Sequence, residues 1–378
     1  MDYQFREDDQ KFFDRLEAIV SDLAGRHGAE QANDPACAGR VRELLADLAD
    51  THYLSLGIAP GDPAEDAVKV MRAGEGLASH TPSLFLAVEC GTRQVARALQ
   101  VFGTEAQRTR WLPPLLQGRW IGAVALSEGA MNVVNDDFET EGVRDGNTVV
   151  LNGVKHFVVN GPIADLVAVA GRLENRSALF LVEPGDPGFH AGDRVPTLGF
   201  DGTAFGTVEL DACRVSEDRI IGPMDRDRLV SVLRQWEDLA LTAAALGLMH
   251  ASLETARAYA KLHVTGGKPL VAYQEIAFKL AEMLAAYQAA QLLAYRAAWS
   301  TAAQPREAPA LVSCAKVFCG ETAEQVASAA LQVLSGTGFT AENAAERAYR
   351  AARYVQIAGT SNELSRMRIA DLVLRKRR

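Results

Sequence analysis

The stretch TVVLNGVKHFVV, residues 148–159, decides how the chain is read. Two runs rich in β-branched residues, Thr148-Val149-Val150-Leu151 and His156-Phe157-Val158-Val159, flank Asn152-Gly153. That dipeptide tolerates the positive φ of both central positions in a tight hairpin turn, so the spacing predicts two antiparallel strands joined there. Similar short runs surround it: Ile121 to Leu126, Leu166 to Val169, Ala178 to Val182 and Thr207 to Leu210. Six strands separated by turn residues within about a hundred positions predict a small antiparallel sandwich or barrel, not a parallel nucleotide-binding sheet.

Outward from this segment the period changes from two residues to 3.6. Phe5, Phe12, Leu16, Ile19 and Leu23 recur at helical spacing, and Val41 to Leu48 repeats the pattern. Asp62-Pro63-Ala64-Glu65 reads as a helix start, and Leu112-Pro113-Pro114 as a stop. Beyond Gly222-Pro223 the chain predicts long helices from Asp225 to about His263, Gln274 to Ala302 and Ala308 to Leu334. A last helix is expected from Thr360-Ser361-Asn362-Glu363, with Thr360 as cap and Glu363 three residues on. The expected architecture is α+β. An amino-terminal helical domain (1–117) precedes a central antiparallel β sandwich or barrel (118–222) and a carboxy-terminal helical bundle (223–378).

The 378 residues carry 39 Lys+Arg against 48 Asp+Glu, a formal charge of -9, which argues against nucleic acid or an anionic membrane as partner. The closing Arg375-Lys376-Arg377-Arg378 reads as a solvated tail. Cys37, Cys90, Cys213, Cys314 and Cys319 have no paired spacing, so neither a disulfide framework nor a zinc site is expected, and a reducing cytoplasm fits. The first residues lack the apolar core of a secretory signal, and no uninterrupted apolar stretch reads as a membrane span. No phosphate loop, GxGxxG or GxSxG is present, and the seven histidines never fall at metal spacing. The chemistry is left to a cofactor or to isolated acids.

Several strings, in order, resemble the acyl-CoA dehydrogenase family of flavoproteins over nearly the whole chain. Residues 102–128, FGTEAQRTRWLPPLLQGRWIGAVALSE, are similar to that family's segment entering the β domain, and HFVVNGP (156–162) to the strand beside the flavin ring. YAKLHVTGGKPLVAYQ (259–274) resembles YAxxRxxFGxxIxxxQ, QVLSGTGF (332–339) resembles QxxGGxGF, and YVQIAGTSNE (354–363) resembles a string containing IYEGT. The resemblance implies FAD held between subunits of a tetramer and removal of the α and β hydrogens of an acyl thioester. It implies electrons passed to an electron-transfer flavoprotein, and a base beside the thioester.

Most of that family carry the base as the glutamate of YEGT, where this chain has Ala358. A minority carry it on the first bundle helix, in a string resembling DLERLVLAAGPLGLM; here QWEDLALTAAALGLM (235–249) puts Glu237 at that position. On a helix Glu237 neighbours Val230, Leu233, Ala240, Leu241 and Ala244, with Arg234 the polar exception. A buried acid in this stripe is expected to have a raised pKa suited to proton abstraction. The alternative is that Glu237 edges the stripe and pairs with Arg234 or another helix.

The resemblance further implies cofactor contacts from Leu126, Ser127, Phe157, Val159, His263, Gln274, Gln332, Gly336, Gly338, Thr360 and Asn362. Several are altered. Phe157 stands for a tryptophan against the ring, Val159 for a threonine near flavin N5, His263 for an arginine at the pyrophosphate, and Asn362 for a glutamate. Gly266 stands for a phenylalanine, Ser335 for a glycine, and Asp238 for an arginine beside the base. Val133 and Val134 replace a serine and an aspartate near the phosphates and the CoA arm, and the amino-terminal loop keeps only Ile58-Ala59-Pro60-Gly61. These changes leave three readings: a CoA-linked dehydrogenase, a dehydrogenase of acyl-carrier-protein thioesters, or a non-catalytic, FAD-poor subunit of a mixed tetramer. A homo-oligomer, dimer or tetramer, is the expected assembly of the first two.

Overall fold

The computed structural model describes residues 5–28, 35–58, 61, 63–131, 133–341 and 343–374. Asp62, Ala59-Pro60, Asn132 and the basic tail lie outside them. The amino-terminal part holds α1 (Glu7–His27), α2 (Cys37–Ala49), α3 (Pro63–His80), α4 (Pro82–Leu86), a π-helical segment over Ala87–Arg93, α5 (Gln94–Phe102) and α6 (Glu105–Leu116). The buried stripe of α1 is Phe13, Leu16, Val20 and Leu23; Phe5, Phe12 and Ile19 pack at its margin. The expected face is therefore correct in position but rotated by about one residue. Pro113 and Pro114 do not stop α6, which runs through both to Leu116. Thr104 caps that helix, accepting the Gln107 N–H, while Gln107 reaches back to the Thr104 N–H.

The β domain is built from β1 (Gly122–Ala125), β2 (Glu141–Asp145), β3 (Thr148–Val159), β4 (Leu166–Leu173), β5 (Arg176–Val182), β6 (Phe189–Ala191), β7 (Phe205–Ser216) and β8 (Ile220–Met224). They form one sheet ordered β6-β7-β3-β2-β4-β5-β8, with β1 on β4. The sheet is sandwich-like and does not close into a barrel, because β6 and β8 end the path unpaired with each other. Pairing is mostly antiparallel, but β1 and β2 both run parallel to β4.

The expected hairpin at Asn152-Gly153 does not form. Residues 148–159 are one strand, and the turn falls upstream, between Asp145 and Thr148, where Gly146 takes φ 62°. Gly153 instead marks a register shift against β7, at a place where a Cβ would lie 2.4 Å from the Thr140 hydroxyl. Glycine here answers a close chain crossing rather than a turn.

The carboxy-terminal bundle comprises α7 (Arg226–Leu262), α8 (Gln274–Ala303), α9 (Ala308–Leu334), α10 (Ala344–Ile357) and α11 (Asn362–Leu374). The Ser361 hydroxyl, not Thr360, accepts the Leu364 N–H at the start of α11, and Thr360 is buried. Helix α7 is long and apolar enough by length and composition to cross a membrane, which qualifies the expectation of no such stretch; 72% of its apolar window is buried within the protein. One core joins this bundle to α1, α2 and α3; a second unites α5, α6 and the sheet with the start of α7.

Candidate active site

The end of β1, the end of β3 and the early turns of α7 meet at a small, partly open space of about 40 Å³. Leu126, Ser127, Phe157, Val159 and Glu237 all line it, with Cys90, Gln94, Arg234 and Tyr354. Ser127 is fixed by its neighbours. Its carbonyl accepts the His156 N–H at 2.9 Å. The next residue, Glu128, is buried and meets Lys155 at 2.6 Å while accepting the Glu139 and Thr140 N–H groups at 2.7 and 2.9 Å. Burial pushes the Lys155 ammonium down to about 8, against the opposing pull of Glu128.

A second register shift, between Lys155 and Val158, puts Phe157 at φ 52° and turns its ring outward, 51% exposed, while Val158 points into the core. The bulge thus sets an aromatic face at the mouth of the space. Asn160 locks the strand end by donating to the Ala87 and Gly122 carbonyls at 2.8 and 3.0 Å. Gly91 makes room for it, since a Cβ there would lie 2.1 Å from the Asn160 amide nitrogen.

Glu237 is not an isolated acid. Arg234, one turn earlier on α7, donates to its carboxylate at 2.5 Å and to the Ser127 hydroxyl at 3.2 Å. The two side chains are 8% and 17% exposed, and the Arg234 Nε is buried without a hydrogen-bond partner. Burial opposes the Arg234 charge, but Glu237 and Asp238 hold the guanidinium above its ordinary value. The expectation of a lone acid in an apolar stripe is corrected to a bridged ion pair, the alternative pairing with Arg234 being the one observed. Burial, followed by the Glu237 and Glu89 charges, pushes the Cys90 thiol well up, which makes it an inert wall.

Asp238 lies one residue, about 100°, further round α7 than Glu237, whose charge still reaches it. It accepts the Thr360 N–H at 2.7 Å and faces Lys316, whose ammonium donates to the Thr360 carbonyl. Burial pushes the Asp238 carboxyl up to about 6 despite Lys316 and the Thr360 N–H, and pushes Lys316 down to about 8. Gly359, at φ 64°, makes this possible, because a Cβ would lie 2.4 Å from the Asp238 carboxylate. Asn362 is also buried, and its Oδ1 has no partner.

The other expected cofactor residues lie elsewhere on the chain. His263 ends α7 with its ring stacked on Tyr259, and Gln274 opens α8; both are exposed. Gln332 lines an open cleft with Lys279, Glu321 and Tyr349. Gly336 and Gly338 lie in the turn after α9, where Ser335 takes φ 54°, the conformation glycine adopts more readily. The fold therefore brings five of the candidates together and leaves His263, Gln274, Gln332, Gly336, Gly338, Thr360 and Asn362 outside that space. Arg234 drew notice in the sequence only as an exception to a stripe. Gln94, which donates to the Leu233 carbonyl, gave no signal beyond sitting one helical turn from Cys90.

Known proteins share this order of domains. Sequence profiles of the acyl-CoA dehydrogenase amino-terminal, middle and carboxy-terminal domains match residues 7–119, 123–213 and 233–374. The chain is 29% identical to the short-chain specific acyl-CoA dehydrogenase of Megasphaera elsdenii, over 88% of this chain and 90% of that protein. It is 31% identical to the human mitochondrial short-chain specific acyl-CoA dehydrogenase, over 73% of this chain and 68% of that one. The solved structure of butyryl-CoA dehydrogenase from Megasphaera elsdenii superposes with a TM-score of 0.88 at 25% identity, covering 99% of this chain and all of that one. With three domain profiles in order along the sequence and this arrangement of sheet and bundle, the chain belongs to the acyl-CoA dehydrogenase family.

Proposed function

We propose that the protein is an FAD-dependent oxidoreductase that removes the α and β hydrogens of an acyl thioester, with Glu237 taking the α proton. The observation that carries this reading is that, among the described residues, Glu237 is the single acid lining the space beneath Phe157 and Ser127. Two features fit FAD. Phe157 offers a half-exposed aromatic face next to the Ser127 hydroxyl, and the orphaned Asn362 Oδ1 is an acceptor in want of a donor. One feature sets a condition. Arg234 lines the space and holds the Glu237 carboxylate at 2.5 Å, so proton abstraction requires that this contact open.

FAD, when bound, supplies the acceptor for hydride leaving the β carbon. Leu126, Ser127, Phe157 and Val159 would hold its ring, and His263, Gln274, Gln332, Gly336, Gly338, Thr360 and Asn362 would serve the rest, shared between subunits. The chain's own residues do the remainder. The Glu237 carboxylate receives the proton, and Arg234, released from it, stays within reach of Ser127. Leu126, Val158 and Val159 exclude water, which strengthens each charge interaction in the site. Exposed Phe278, Leu292, Phe318 and Phe339 on the bundle support a homo-oligomer. An electron-transfer flavoprotein is the proposed electron acceptor.

The test is anaerobic bleaching of the purified flavoprotein's absorbance by acyl-CoA thioesters. Glu237→Gln is expected to retain flavin and bind thioester without bleaching; bleaching at the wild-type rate would remove Glu237 from the role. A carrier-protein thioester is a second reading, favoured by Val133. This residue is 5% exposed and packs with Leu126 and Phe138, where a polar contact to the CoA arm is otherwise expected. Comparing turnover of one acyl group on CoA and on a carrier protein separates the two.

A further inference from the structure

On the other side of the π-helical segment and α5 lies a second, larger cavity of about 370 Å³, in the size range of small-molecule pockets. No residue lines both it and the space around Glu237. Its walls come from α3, α5, α7 and α8 and are mostly apolar, with Met71, Phe85, Leu239 and Ala243 among them. Among the described residues its charged wall is Glu89 and Arg97. Glu89 is buried, and both its oxygens are taken. Oε1 meets the Tyr53 hydroxyl at 2.6 Å and the Arg93 Nε at 2.5 Å, and Oε2 meets Arg97 at 3.0 Å. Arg93 is wholly buried and also donates to the Tyr53 and Leu56 carbonyls.

Two guanidiniums thus face one carboxylate, leaving one excess positive charge at the end of an apolar chamber. The Arg97 side chain is 12% exposed, and Glu89 is its one ion-pair partner among the described residues. A buried cation with half a partner favours an incoming anion, because the desolvation cost is already met in the folded protein. An apolar chamber rewards a hydrocarbon body. We infer that this cavity binds a small amphiphilic carboxylate, its apolar chain among the α3, α7 and α8 side chains and its carboxylate on Arg97. The site is separate from the thioester site and does not depend on the proposed reaction.

Calorimetric titration of the purified full-length protein with octanoate, 1-octanol and octylamine tests the inference. Octanoate is expected to bind at least about tenfold more tightly than the alcohol, the scale of one charge-assisted hydrogen bond, and the amine not at all. Arg97→Met is expected to erase the preference for carboxylate while sparing alcohol binding. Ala302, exposed at the lining of the cavity, gives a variant that leaves the core untouched: Ala302→Trp is expected to weaken octanoate and alcohol alike. Equal binding of octanoate and alcohol to the wild type, or octanoate binding unchanged by Ala302→Trp, would overturn the inference. Displacement of octanoate by butyryl-CoA would overturn the separateness of the two sites.

Discussion

Whether the space around Glu237 is dry can be measured through its ion pair. In a double-mutant cycle, Arg234→Met removes the cation, Glu237→Gln removes the anion with little change of shape, and the double variant removes both. A solvated pair at i, i+3 on a helix contributes only about 0.3 to 0.5 kcal/mol. A charge-assisted hydrogen bond withdrawn from water contributes about 1.5 to 3 kcal/mol. The pair spans 2.5 Å with side chains 8% and 17% exposed, so the coupling belongs to the second class, tempered by the residual access of Glu237. We expect about 2 kcal/mol, read as the non-additivity of unfolding free energies in urea. Because Arg234 also contacts Ser127, its single variant should lose more than the coupling alone, and the cycle subtracts that excess. A dry pair should keep its coupling in molar salt, where screening extends to within about 3 Å. A coupling below about 0.5 kcal/mol, or one abolished by salt, would show a wet site and refute the argument for a low-dielectric base.

Three further outcomes follow from the same structure. Lys155→Met strands the buried Glu128 with only its two backbone donors, and should cost about 3 kcal/mol in urea unfolding, the lower end for breaking a buried pair. Asp238 holds its proton more tightly folded than unfolded, with a pKa near 6 against 3.8, so its contribution is fully present below about pH 4 and is lost as pH rises through 6. Asp238→Asn should therefore flatten the stability profile between pH 4 and 7 by on the order of 3 kcal/mol, measured as the pH dependence of the wild-type to variant difference; a constant difference would contradict the assignment. Gly359→Ala forces a side chain into a left-handed backbone against the Asp238 carboxylate and should lower stability by about 2 kcal/mol, with a larger drop at pH 7 than in the Asp238→Asn background.

The three long helices of the bundle were legible from their apolar length and clear starts: α7 begins beside Asp225, which caps it, and Gln274 and Ala308 open α8 and α9 as read, whereas α10 (Ala344–Ile357) was not anticipated. The sheet was legible as a class but not strand by strand. Asn152-Gly153 has the chemistry of a turn, but Thr140 crossing at Gly153 decides its use, and that contact joins residues far apart in sequence. Strands β2 and β6 were missed because they are short and largely exposed, as in Glu141-Gly142-Val143-Arg144-Asp145, and β8, although it opens with the buried Ile220 and Ile221, because its Gly222-Pro223 reads as a domain break. Pro113 and Pro114 were misread as a stop. Lying late in α6, they lose few hydrogen bonds, and the Arg119 and Trp120 N–H groups cap the Pro114 carbonyl.

The candidate site divides in the same way. Glu237 could be located by alignment, but its tie to Ser127 through Arg234 depends on how the β domain docks against α7. The separate direction of Asp238, about 100° from Glu237, follows from helical geometry, yet the Thr360 loop that receives it is set by tertiary packing.

Helix α7 sets Glu237 toward the space beneath Phe157 and Ser127, Trp236 and Leu239 toward the larger apolar cavity, and Asp238 toward the Thr360 loop. These duties are keyed to angular position on one rigid rod some 55 Å long, and each residue advances it by about 100°. Deleting a single residue before Arg234 would turn all three at once, handing the acid to the wrong chamber and exposing the loop's anchor to the substrate. Changes of length are therefore expected to be tolerated in the loops at the two ends of this helix and not within it upstream of the site.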